Sequence, residues 1–276
     1  MIEYIISSKS FVKKFQQNKQ RVENRVNDYI VNPTEESIHD VRTSIRKLDA
    51  SFKLLPKKIR NSYDIRNYHD QYRRLFKINS EMRDIDIIYS RLIRYSSESI
   101  PNYRRYLQKL KNTRDKKYKD ARKVASRLSD NLLPQITEDD ISDNKLQLRY
   151  NRFVNNISNR IEELFPIVVA NSKKEKELHE LRKDSKKLRY LLEILPSKNN
   201  RNLSNISDHL EEVQNILGAI CDIDITIEYI KRIKPSIKDT YYNSTINAEE
   251  KERQELYNKF VDKNRNKNHG NTYRRL

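Results

Sequence analysis

The chain has 276 residues, with 57 Lys and Arg against 39 Asp and Glu, a formal net charge of +18 and a pI near 9.7. No apolar run is long enough to cross a bilayer, Met1–Phe15 never builds the apolar core of a signal peptide, and a single cysteine, Cys221, excludes a disulfide framework. Two glycines and no strand-like alternation exclude a hairpin-rich β fold, so the expected class is all-α.

In chain order the elements read as helices joined by short polar turns. Glu3–Val31 carries apolar residues at helical spacing. Thr34, behind Pro33, is an N-cap for a helix that stops at Pro56. Asp64 to about Tyr95 is helical with a break near Asp84, and Pro101–Leu133 forms another long helix. Residues 134–144 are polar and acidic and read as a linker. Then follow Lys145–Val169, Glu175–Leu195, Leu203–Ile233 with an interruption near Gly218, and Tyr241–Lys263. Residues 264–276 form a basic tail expected to be disordered. An apolar content of 36% makes these helices amphipathic rather than buried all round.

One helical pattern occurs twice. Residues 38–56 (Ile-His-Asp-Val-Arg-Thr-Ser-Ile-Arg-Lys-Leu through Leu54-Leu55-Pro56) match residues 178–196 (Leu-His-Glu-Leu-Arg-Lys-Asp-Ser-Lys-Lys-Leu through Ile194-Leu195-Pro196). A second match follows, Asp84-Ile85-Asp86-Ile87 against Asp222-Ile223-Asp224-Ile225, with Leu75 and Ile78 opposite Val213 and Ile216. Two ordered matches predict an internal duplication. The expectation is two four-helix bundles, over residues 1–136 and 145–263, related by a pseudo-twofold axis and together forming one domain.

The repeated helix has two faces. At about 100° per residue, His39, Arg42 and Arg46 share one side, as do His179, Arg182, Lys186 and Arg189, within an arc of about 80°. Lys47 and Lys187 lie on the flank, while Val41, Ile45, Leu48, Phe52 and Leu55 take the opposite side. Like charges three and four apart repel by a few tenths of a kcal/mol per pair, so such a stripe needs an anionic ligand or neighbouring acids to compensate it. Arg grips phosphate oxygens in pairs and Lys acts as a point charge, so two facing stripes would line a groove for a chain of phosphates. A Lys- and Asn-rich composition is the competing explanation of the overall charge; the position of the cations is what separates the two.

The pattern His-x-x-Arg-x-x-x-Arg/Lys-Lys-Leu, as His39–Leu48 and His179–Leu188, resembles the CHAD family, the conserved histidine α-helical domain. The Asp-Ile-Asp-Ile segments, with Leu217-Gly218 ahead of the second, resemble that family's second motif, and the likeness runs from about residue 5 to 262. The resemblance implies two four-helix bundles about a central basic surface that binds inorganic polyphosphate, without catalytic activity. Carried over by motif, the binding residues are His39, Arg42, Arg46 and Lys47, then His179, Arg182, Lys186, Lys187, Arg189 and Tyr190. Three positions depart from the pattern: Asp49 stands where the second copy has Arg189, Ala50 stands opposite Tyr190, and Ser80 replaces Gly218. Asp49 therefore either weakens the first half-site or pairs with a neighbouring cation. A cytoplasmic protein, associated with polyphosphate granules, is expected.

Two rival functions use the same residues. A metal-dependent phosphohydrolase would use the Asp pairs and the histidines; a nonspecific nucleic-acid binder would use the charge alone. Adjacent side chains on a helix diverge by about 100°, so His39 and Asp40 cannot chelate one metal, and residues two apart diverge by about 200°, so Asp84 and Asp86 cannot meet on one atom. Those aspartates are expected to cap a new helix segment or to hold an arginine of the basic stripe. His69, His209 and His269 lack supporting constellations, the tyrosines (Tyr63, Tyr68, Tyr72, Tyr103 and Tyr106 among them) read as core edges, and Cys221 reads as a buried small residue. No phosphate-cradling glycine loop, nucleophile elbow or zinc spacing is present, and no cofactor or metal is called for.

Overall fold

Phe11, Phe15, Val22, Val26 and Tyr29 recur at helical spacing and are all buried, which drives Ser8–Val31 into helix α1. Ser7 starts it, its hydroxyl accepting the Ser10 N–H at 3.2 Å. Thr34 begins α2 (Glu35–Leu54) with a reciprocal cap: its hydroxyl accepts the Ser37 N–H at 3.1 Å, and the Ser37 hydroxyl accepts the Thr34 N–H at 2.8 Å. Then come a single turn α3 (Lys57–Arg60), α4 (Tyr63–Leu92) with a 3₁₀ turn at Ile93–Tyr95, and α5 (Pro101–Asp130). The second half holds α6 (Asp143–Ala170), α7 (Glu175–Leu192), α8 (Arg201–Ile233) and α9 (Asp239–Arg265). This computed structural model describes residues 5–95, 101–131, 133–195, 201–233 and 239–265.

The fold is all-α, and no strand occurs among the described residues. In the first half α1 packs on α2, α2 on α4, α4 on α5 and α5 on α1, which closes a four-helix ring. In the second, α6, α7, α8 and α9 close a ring in the same order. The rings meet where α4 lies against α8 and α2 against α7. A buried arginine ties them as well. Arg91 of α4 reaches the fully buried Glu249 and the partly exposed Glu252 of α9, each at 2.7 Å, while the Tyr95 hydroxyl donates to Glu249 at 2.9 Å.

Several boundaries differ from expectation. Helix α4 passes through Asp84 without a break, because Asp84 and Asp86 face cations on neighbouring helices instead of capping backbone N–H groups. Helix α8 passes through Gly218. A mid-helix glycine costs about 1 kcal/mol, a penalty that packing on α7 and α9 outweighs. The segment between the rings is not a free tether: Leu133, Ile136 and Ile141 are buried in the core, and Lys19 and Gln16 donate to the Leu133 and Ile136 carbonyls. Asn264, assigned to the tail, is helical and 4% exposed. The rest of the tail from residue 266, together with Pro196 and His269, lies outside the described residues. Tyr68 and Tyr72 are buried core, whereas Tyr63 is exposed.

Candidate polyanion-binding site

Helices α2 and α7 lie against one another, each turning its aliphatic face inward: Ile38, Val41, Ile45 and Leu48 on α2, and Leu178, Leu181, Leu188 and Leu191 on α7. Their cationic faces converge, since Arg42 and Arg46 of α2 stand close to Arg182 and Lys186 of α7. Arg42 stands in the field of Arg46, Arg83 and Arg182, and burial with those like charges pulls its pKa down to about 10. Arg46 is pulled down by burial too, with Arg182 and Arg189 beside it, while the neighbouring Tyr190 side chain opposes the shift. Lys186 is driven to about 7 by burial, then by Arg182, Arg46 and Arg42. Four cations from two helices thus occupy one partly desolvated cluster.

None of the four is held in an ion pair. Among the described residues, Arg42, Arg46, Arg182 and Lys186 have no carboxylate within 4.0 Å. The Nε atoms of Arg42 and Arg182 are buried without a hydrogen-bond partner in the protein. An unpaired buried donor costs about 1–3 kcal/mol, and more when charged. The cluster stores repulsion that an incoming anion would relieve.

Its floor comes from α4 and α8. Phe76 lies beneath both first-half guanidiniums, 5.9 Å from Arg42 and 5.1 Å from Arg46. Asp84 and Asp222 approach one another from the two halves, and burial raises both carboxyls above the usual range while Arg42, Arg182 and Arg83 oppose the rise. Asp86 and Asp224 turn away, to Arg114 at 2.6 Å and to Arg253 at 2.5 Å. The expected divergence within each pair therefore holds, but the cations gripped belong to α5 and α9, not to the stripe.

The remaining candidates are less free. Lys47 is paired with Glu193 at 2.7 Å, and Lys187 with the fully buried Asp184 at 2.7 Å. Arg189 is paired with Glu211 and stacked 5.3 Å over Tyr190, itself buried. The two histidines differ: His39 is 70% exposed and leans on Asp40, whereas His179 is half-buried with Nδ1 3.6 Å from the Cys221 Sγ. Burial, then Lys183 and Arg182, pushes the His179 pKa down, so the ring is neutral near pH 7. Asp49 is occupied by Lys53 at 3.0 Å, His69 at 3.6 Å and the Tyr72 hydroxyl at 3.3 Å, so it points away from the cluster. Among the described residues no three His, Cys, Asp or Glu side chains gather as metal ligands, and no helix is long and apolar enough to cross a membrane.

The family model for the CHAD domain matches residues 10–231. The chain belongs to the CHAD domain family. Its fold is similar to the crystal structure of the CHAD domain from the plant Ricinus communis, with a TM-score of 0.60, 13% identity, and coverage of 100% of this chain and 94% of that one. No curated protein matches the chain.

Within this CHAD domain, sequence reasoning missed Phe76, Arg83 and the use made of Gly218. Arg83 occupies the place of Cys221, directly ahead of the Asp-Ile-Asp-Ile segment, and a cation at that point in one copy alone was the available signal. Phe76 gives no such signal, since an aromatic on a helix facing the core reads as packing. The local sequence reads Gly218 as a break; in the fold it is where the Arg182 guanidinium comes to rest.

Proposed function

We propose that this CHAD domain binds inorganic polyphosphate without cleaving it, through the cluster formed by Arg42, Arg46, Arg182 and Lys186. The observation that carries this reading is the convergence of four cations from two helices, three of them with lowered pKa values and none paired with an acid. A flexible chain of phosphates supplies closely spaced charges to such a cluster, and its binding releases counterions. Lys47, Lys187, Arg189 and His39 lie around the cluster and extend it by exchanging their present partners for phosphate. Neutral His179 donates a hydrogen bond.

The test is a titration with long-chain polyphosphate of the native protein and of a variant carrying Arg182→Glu and Lys186→Glu. Tight binding by the first and loss in the second, with unchanged helical circular dichroism, is expected. Orthophosphate release with magnesium or manganese present would instead support the phosphohydrolase, with Asp84 and Asp222 as the carboxylates nearest the cluster.

A further inference from the structure

The excess charge is not spread evenly. Between Pro101 and Asp130, helix α5 carries eleven Lys and Arg against three Asp, a net +8 of the chain's +18. Helix α9, the fourth helix of the other ring, carries five Lys and Arg against six acids over Asp239–Arg265, a net −1. A compositional bias would act on both helices alike, so it does not explain the difference.

The cations of α5 are also ordered. Leu110, Ala121, Val124, Ala125 and Leu128 are buried on the side packed against α4 and α1. On the opposite side Arg105, Lys109, Lys116, Lys119, Lys123 and Arg127 are all exposed and fall within an arc of about 80°. The row is about 33 Å long at about 1.5 Å per residue. Asp120 flanks it and Asp130 ends it, and among the described residues none of the six cations forms an ion pair. Arg114 and Lys117, on the inward side, do, with Asp86 and Glu81.

We infer that the outer face of α5 is a second binding surface, for the phosphate backbone of a nucleic-acid duplex. A row of solvated, unpaired cations on one outer helix face can contact backbone phosphates and reads no bases. Its length is comparable to one turn of a duplex, about 34 Å. Among the described residues no aromatic side chain lies along the row on which unpaired bases could stack, since Tyr106 and Tyr118 are half-buried on the inward side. Among the described residues of α5 no large apolar side chain is exposed to enter a lipid surface, because the apolar face is covered by α4 and α1.

The test compares the native chain with a variant carrying Lys116→Gln, Lys119→Gln and Lys123→Gln, using a short mixed-sequence DNA duplex, polyphosphate and phosphatidylserine vesicles as separate probes. The variant should bind duplex roughly tenfold more weakly, with a salt dependence shallower by about three phosphates, and should keep native polyphosphate affinity. A Lys→Arg variant at the same three positions should keep duplex binding. Unchanged duplex affinity in the Gln variant overturns the assignment. So does duplex binding that is lost only with Arg182→Glu and Lys186→Glu, or vesicle binding without duplex binding. Failure of polyphosphate to bind the native chain would sink the central-site reading and leave this one standing.

Discussion

Arg182 lies against the α8 backbone at Gly218: a Cβ built there would stand 3.4 Å from its Nε and 3.5 Å from its Nη2. A methyl group fits at that contact; a branched side chain displaces the guanidinium. Gly218→Ala should therefore raise stability by about 0.5–1 kcal/mol through helix propensity, with binding nearly unchanged. Gly218→Leu should weaken polyphosphate binding by roughly tenfold, the value of one charge-assisted contact. Thermal melts and titrations of the two variants separate these effects. Equal affinity for both would mean that Arg182 does not need its present position.

Lys186 titrates near pH 7 because burial and three arginines oppose its charge. A bound polyanion reverses that balance, so binding above pH 7 takes up a proton and affinity should fall as pH rises from about 6 to about 9, by at most tenfold per unit. The free protein behaves in the opposite sense. Its folded pKa lies below that of the unfolded lysine, so the unfolded chain holds more protons between about 7 and about 10, and stability rises with pH across that window. Lys186→Met should remove both trends. A pH series of titrations and melts measures each; an undiminished slope in the Met variant would place the titrating group elsewhere.

The fold was legible because amphipathic period, caps and the repeated pattern all agree. Thr34, the apolar residues of α1 and the cation face of α2 and α7 stand where the sequence puts them. Residues with two roles were not legible. Asp84 and Gly218 carry the local signals of a helix break, and only the neighbouring helices decide that Asp84 faces Arg42 and that Gly218 receives Arg182. Pairing was equally hidden. Lys47 and Lys187 are stripe residues by spacing, but Glu193 lies beyond the motif's fixed cations and Asp184 is a carboxylate inside it that turns into the core.

Asp49 replaces a cation of the second copy and serves the core. Burial raises its pKa, but hydrogen bonding and charge from His69 and Lys53 win, and the net value falls to about 2. Its folded pKa lies below the unfolded one, so its contribution of about 2 kcal/mol is present above pH 4 and lost as pH falls toward about 2. Asp49→Asn should lower the melting temperature at pH 7 and flatten the acid limb of a stability curve, while polyphosphate affinity stays within about threefold of native. A large loss of affinity would return Asp49 to the binding cluster.

Tyr190 links the two helices, since its buried side chain lies against Arg189 of its own helix and favours the charged form of Arg46 on α2. Tyr190→Phe keeps the ring and the packing. It should cost about 1–2 kcal/mol of stability and weaken polyphosphate binding several-fold by releasing Arg46. Denaturant melts with parallel titrations measure both, and an unaffected affinity would show that Arg46 is held by Phe76 alone.

On the proposed function, one cluster drawn from both halves holds the phosphate chain. The most direct measurement of this is a double-mutant cycle on polyphosphate affinity at fixed salt, with Arg46→Gln in α2 and Lys186→Gln in α7. Each change should weaken binding by roughly tenfold, and the pair should be non-additive by about 1 kcal/mol or more, because each cation removed relieves repulsion on the other. Additive losses, or no loss from either, would contradict a shared site.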